Sequence, residues 1–279
     1  MTTRKPHLMF LGVVFILASR MGSQESISPG NMSPVDLVRS VIRNELSPSR
    51  LGGDVHWRYR LFKEVNGKEE TREVVETKSG SLDLLIAIAG KPLSDAQWRT
   101  ETERVLRLSR GPEEQRRLEQ IRRKDTEQSD AFLQMIPKAL LFEYAGASGD
   151  LLKLEFKPNL AFSAPGREAK LLHEMAGEIW LDRKQQRLVS INGRLMNEVK
   201  FLAGLGLLGQ FEKGGQFSVK RAEIIHGDWE LVELTVNIRG KALVFKTISL
   251  QQKEVHLDFK PVSHDLSLPD AADLLLSSR

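Results

Sequence analysis

The chain is predicted to be a mainly β protein of the α+β class, built on one antiparallel sheet, and three observations carry that expectation. From position 175 to 259 it reads as six strands in series, 177–181, 187–195, 216–224, 231–239, 241–250 and 254–259, separated by Gly, Asp, Asn or charged turn residues. No crossover helix intervenes, so successive strands pair antiparallel. Nearer the N-terminus, 55–65 and 70–77 flank Asn66-Gly67, the strongest short hairpin signal because both turn residues need positive φ. In the first arm Trp57, Tyr59, Leu61 and Val65 share one face while His56, Arg58, Arg60 and Glu64 share the other, so one side of the sheet is buried and one is wet.

Size and composition narrow the class further. All-β units often run to about 200–250 residues, so a chain of 279 residues is expected to hold a single domain over 24–279. Hydrophobic residues at 41% supply a core, and 28% charged residues exclude a polytopic membrane protein and do not suggest disorder. The net charge of +4 arises from 41 basic against 37 acidic residues with no concentrated basic block, which argues against a nucleic-acid partner. Arg4-Lys5 precede an apolar run over 8–18, the n- and h-regions of a secretory signal peptide and too short to span a bilayer comfortably. Arg20 stands where a cleavage site prefers small residues, so 1–23 is expected to be either a signal peptide or an uncleaved N-terminal anchor, in an exported, periplasmic protein. The chain has no cysteine, hence no disulfide and no lipid-modified cysteine.

In chain order, Ser33-Pro34-Val35-Asp36 heads a helix whose Leu37, Val38, Val41 and Ile42 form one apolar face that must lie on something. After the hairpin, a strand over 82–89 is apolar at nearly every position and is expected to be central. Ser94-Asp95-Ala96-Gln97 opens a helix with capping-box spacing, and from there to 130 roughly half the residues are charged, with a break at Gly111-Pro112. This helical insertion, 94–130, is read as a solvated surface pair, or as a docking arm for an envelope protein partner. Pro137 is expected to stop it. Strands resume at 140–144 and 151–157, the latter with Leu152, Leu154 and Phe156 alternating against Lys153, Glu155 and Lys157. A short helix over 168–175 leads into the six-strand run, and Pro269 starts a last helix over 270–278 that packs on the sheet.

Motifs for chemistry are missing where they would be needed. Gly204-Leu205-Gly206-Leu207-Leu208-Gly209 is formally GxGxxG, but a dinucleotide site needs it to open a helix in a βαβ unit, and here a turn and another strand follow. The segment is read as a strand bend or an apolar lip carrying Leu205, Leu207 and Leu208. The six histidines include no pair at metal-ligand spacing, and neither HExxH, GxSxG nor a Walker loop occurs, so no metal, no cofactor and no enzymatic activity are expected.

Four segments are specific enough to resemble a family: Phe156-Lys157-Pro158-Asn159, the run from His173 to Asp182, Leu208-Gly209-Gln210-Phe211-Glu212-Lys213-Gly214-Gly215, and the run from Gly240 to Ser249. They are similar to a group of exported acidobacterial proteins with no established activity. A leading helix, an antiparallel sheet and helices folded against it also resemble the plan of the LolA-like superfamily, the periplasmic lipoprotein carriers of the bacterial envelope. That resemblance implies a strongly curved sheet forming a half-barrel, with helices packed into or across its open side. It implies a binding protein or carrier for a lipid, a lipoprotein acyl chain or another hydrophobic ligand, or, as in stress-sensing relatives, a sensor or interaction module with no carrier activity. The expected groove residues are Trp57, Leu84, Ile86, Leu154, Phe156, Trp180, Phe217 and Phe245.

Overall fold

A computed structural model describes residues 32–46, 55–163, 167–203, 207–242 and 246–277. The predicted signal segment, Leu205 and Phe245 therefore lie outside the described residues. Five helices and thirteen strands are described: α1 Pro34–Leu46, β1 His56–Val65, β2 Lys68–Thr77, β3 Gly80–Ile88, β4 Lys91–Pro92, α2 Asp95–Arg110, α3 Pro112–Ala139, β5 Leu140–Ser148, β6 Leu151–Pro158, α4 Arg167–Leu172, β7 Met175–Asp182, β8 Arg187–Leu195, β9 Val199–Ala203, β10 Leu207–Phe211, β11 Gln216–Ile225, β12 Asp228–Ala242, β13 Lys246–Val262 and α5 Leu268–Leu276. All strands join one antiparallel sheet in the order β4-β3-β2-β1-β13-β12-β11-β8-β7-β6-β5, with β9 and β10 branching from the end of β12, and the sheet does not close on itself.

Several local signals translate directly. Asn66 and Gly67 hold φ of 50° and 77°, as the two-residue turn between β1 and β2 requires. Ser94 and Gln97 cap each other at the head of α2, and Gly111 with Pro112 separates α2 from α3. Pro137 sits in the last turn of α3, which ends two residues later. β9 and β10 pair as antiparallel neighbours, Ala203 opposite Leu207, so the glycine-rich run joins two strands of a hairpin and opens no helix.

Two expectations are corrected. The strands expected at 231–239, 241–250 and 254–259 are two long strands, β12 and β13. Gly240 is no turn; it lies opposite Phe211 of β10, and a Cβ there would stand 2.4 Å from the Gln210 carbonyl oxygen. The glycine marks a close backbone approach rather than a break. Nor is β3 central, since its only outer neighbour is the two-residue β4. Its apolar content is covered by helices instead: Leu82 and Leu84 pack with Val75, Val105 of α2, and Leu268, Ala271, Ala272 and Leu275 of α5. Along β3, α2 also supplies hydrogen-bond partners. The Leu85 N–H donates to the Glu101 carboxylate (2.7 Å), and Arg104 donates to the Asp83 carbonyl (2.6 Å), so groups that an edge strand leaves bare are satisfied. Burial pushes Glu101 up, but the Arg104 guanidinium and the Leu85 N–H more than offset it and hold the carboxyl below its ordinary range.

On the opposite face, pairing runs in one unbroken row, Phe142–Phe156–Gly177–Gly193–Phe217–Val236–Gln252–Val65. The next row on that face is Tyr144–Leu154–Ile179–Ile191–Val219–Leu234–Glu254–Lys63. Both rows are largely apolar from β5 to β12; both turn polar at β13, with Gln252 and Glu254, and the second stays so at β1, with Lys63. This divided face is where α1, α4 and the C-terminal part of α3 pack. Its two glycines are not interchangeable with alanine. A Cβ on Gly177 would lie 1.9 Å from the Asn192 carbonyl oxygen, and one on Gly193 would lie 2.0 Å from the Phe217 ring, which occupies that space. At about 1.5 Å per residue the 28-residue α3 is about 42 Å long, and it carries the chain from the β3–β4 edge to the β5 edge.

Candidate functional site

The site begins with the stripe that α1 turns to the sheet. Val38, Val41, Ile42 and Glu45 follow one another at helical spacing, the first three no more than 8% exposed. Beneath them, Phe132, Leu133 and Ile136 of α3 and Phe142, Phe156, Ile179, Leu188, Ile191, Phe217 and Val219 of the sheet enclose a cavity of about 110 Å³, completed by Leu140, Leu172 and Met175. Glu45 is the only charged residue in this lining.

A buried ionic clamp fixes the C-terminal end of α1. Glu45 Oε2 lies 2.5 Å from the Arg221 guanidinium and 3.5 Å from that of Arg187, and all three side chains are at most 6% exposed. Arg221 also donates to the Trp229 carbonyl, and Arg187 to the Asn44 carbonyl (3.2 Å). Ser40 donates to the Gln186 side chain and Asn44 to the Gln186 carbonyl. At the N-terminal end the one tie to the sheet described is the Tyr144 hydroxyl donating to the Met32 carbonyl (3.0 Å). Removing ions from water is costly unless each is paired and hydrogen-bonded, which this clamp largely achieves. Its exceptions are Glu45 Oε1 and Arg221 Nε, each buried without a hydrogen-bond partner.

The polar end of the same face is a separate feature. Glu254, with a fully buried side chain, accepts from Lys63 (2.7 Å) and Gln252 (2.8 Å). Burial pushes its carboxyl up, while His256 and Lys63 hold it below its ordinary range. Tyr59 stacks on His256 and Phe259, and burial followed by the charges of Glu76, Glu230 and Glu254 raises its hydroxyl well above the usual value. Desolvation, then the negative charge of Glu230, pushes Glu76 up to about 8.

A larger hollow of about 770 Å³ opens on the other face of β5 to β12. It is a trough in contact with solvent, and several of its polar groups satisfy one another. Lys157 pairs with Glu143 (2.5 Å), and a chain from Lys153 through Glu178 and Asn192 to Ser218 crosses four strands. The smaller cavity is therefore the better candidate for a hydrophobic guest, since volume alone does not make a site.

The expected groove residues divide among these places. Phe156 and Phe217 line the cavity, and Leu154 packs beside it in the α1 cluster. Trp57 is buried on the same face but at its polar end, edge-on to Phe259. Leu84 and Ile86 are corrected to the other face, under α2 and α5, because β3 turns them that way. Trp180 alternates with the buried Ile179 and Leu181 and so points away from the cavity, with Lys153 over its ring. Leu207 and Leu208 belong to β10, but their side chains lie outside the described residues. The clamp was missed, though Phe217, Val219 and Arg221 alternate in one strand and Glu45 ends an apolar stripe. A charge at an inward position on each of two elements is a pairing signal.

Among the described residues no group of His, Asp and Glu is arranged to hold a metal ion, and no helix is long and apolar enough to cross a membrane. Comparison of the chain with protein-family models, characterised proteins and solved structures found no match.

Proposed function

We propose that the protein binds a hydrophobic ligand, a lipid, an acyl chain or a molecule of similar character, between α1 and the sheet, and serves as a binding protein or carrier in the periplasm. The observation that carries this reading is the apolar cavity roofed by a helix that is clamped at one end and lightly tied at the other. At about 110 Å³ the cavity is below the roughly 300 Å³ at which ligand pockets begin, so a chain ligand enters only if α1 lifts. Each methylene buried is worth about 0.8 kcal/mol, so a ten-carbon chain gains about 8 kcal/mol before ordering costs, with no catalytic group required. The half-barrel plan of the LolA-like carriers, in which helices close the hollow of a curved sheet, accommodates this arrangement. The test is saturable uptake of N-phenyl-1-naphthylamine, with native mass spectrometry of protein purified from its own host. Bound apolar mass and competitive dye uptake are expected. An apo mass together with no dye uptake overturns the proposal.

A second reading, an envelope sensor or interaction module docking through α2 and α3, draws on Ile121, 45% exposed on an otherwise charged helix surface. It predicts that Ile121→Lys abolishes capture of a partner while leaving dye uptake intact.

A further inference from the structure

We infer that the guest of the α1 cavity is an amphiphile whose polar end carries a hydrogen-bond donor, a hydroxyl, an amide N–H or an ammonium, and that an anionic head of the same size is refused. The inference rests on the reading that this cavity takes a hydrophobic ligand, and adds which ligands it takes.

Sixteen of the seventeen lining residues are apolar, so the polar end of a guest has one place to go, Glu45. The two oxygens of that carboxylate are in different situations. Oε2 faces Arg221 and Arg187, whereas Oε1 is buried with no donor. Glu45 lines the cavity and neither arginine does; each guanidinium is engaged by the Glu45 carboxylate and by a carbonyl, of Trp229 or of Asn44, with Arg221 Nε left without a partner. A guest arriving from the apolar side therefore meets an acceptor-only atom. A buried acceptor left unpaired is costly, so a donor that reaches it gains more than the same donor does in water. A carboxylate head offers that oxygen no hydrogen and sets its own charge against that of Glu45, whose two guanidinium partners are already engaged on Oε2.

Displacement of bound N-phenyl-1-naphthylamine at pH 7.5 by 1-decanol, decylamine and decanoate tests this on the unaltered protein. The alcohol and the amine are expected to displace the dye at concentrations at least tenfold below the carboxylate. Equal or better displacement by decanoate overturns this inference while leaving the hydrophobic site standing. Failure of all three against a dye that itself does not bind overturns the site and the inference together. In Glu45→Gln, whose amide can donate to a carboxylate, the preference is expected to fall below threefold, with circular dichroism confirming that the variant is folded. A preference that survives at tenfold in that variant assigns the selectivity elsewhere and overturns the role of Glu45.

Discussion

Two helical covers lie on this sheet, and they are built differently. The α2–α5 cover is packed with small residues, Ala271 and Ala272 at 0% exposure beside Leu275, and is joined to the β3 edge by side chains that complete its hydrogen bonding. The α1 cover lies over a hollow, and its polar contacts crowd at its C-terminal end. A void deprives its lining of contacts that a filled core would make, so the second cover gives up stability that the first retains. The difference teaches where motion is inexpensive. Lifting α5 would expose a close-packed cluster; lifting the N-terminal end of α1 exposes Leu37 and Val38 but breaks one described hydrogen bond to the sheet and opens space that is already partly empty.

The clamp gives the largest expected effect. Arg221→Met leaves Glu45 buried without its nearest cation, at a cost of about 3–5 kcal/mol read from urea unfolding. On the other cover, Arg104→Met removes a partly exposed member of a network, 27% exposed, and is expected to cost under about 1 kcal/mol. Equal costs would show that the clamp is no special anchor.

Filling space separates the covers next. Ala272→Leu forces three extra carbons into a site with none to spare and is expected to destabilise by about 1–3 kcal/mol. Val41→Leu adds one methylene toward the cavity and is expected to be neutral or to stabilise by up to about 1 kcal/mol while weakening dye uptake. Loss of stability in both would mean that the hollow cannot accept a side chain.

Much of this architecture was legible because it is local. Asn66-Gly67 fixes a turn by φ alone, Ser94 with Gln97 fixes a helix start, and the alternation in 151–157 places Leu154 and Phe156 on one face. What was not legible depends on partners distant in sequence. β3 read as central because its side chains are apolar, yet the cover comes from α2 and from α5 almost two hundred residues on. Gly240 read as a turn, yet the reason for glycine is the Gln210 carbonyl of another strand. The clamp joins positions 45, 187 and 221, and only the inward parity of each charge hinted at it.

The polar end of the divided face carries a group that makes stability depend on pH, Glu76. Because the folded state raises Glu76 from its ordinary 4.5 to about 8, it holds that proton more tightly than the unfolded chain. The stability it contributes is present at acidic pH and is lost as pH rises through about 8. The urea midpoint is expected to fall between pH 6 and pH 9, and Glu76→Gln is expected to flatten that slope. The same slope in the variant would assign it to other groups.

The smallest effect is the most discriminating, because the two covers share a device. Ser33 accepts from the Asp36 N–H at the head of α1, and Ser267 accepts from the Asp270 N–H at the head of α5. Alanine at either position costs about 1 kcal/mol of helix stability. In α5 that loss falls on the folded state as a whole, so Ser267→Ala lowers the urea midpoint and leaves ligand entry as it was. Where lifting frays the first turn of α1, the Ser33 cap is made in the seated state alone, so its loss also narrows the gap between the seated helix and a lifted one. A difference of about 1 kcal/mol is a factor of about 5 in the population of a minor state. If entry waits on α1, stopped-flow uptake of N-phenyl-1-naphthylamine therefore quickens about fivefold in Ser33→Ala and is unchanged in Ser267→Ala. Equal rates in the two variants would show that entry does not wait on fraying of the first turn of α1, because a cap made in the seated state alone cannot be lost without that state becoming rarer.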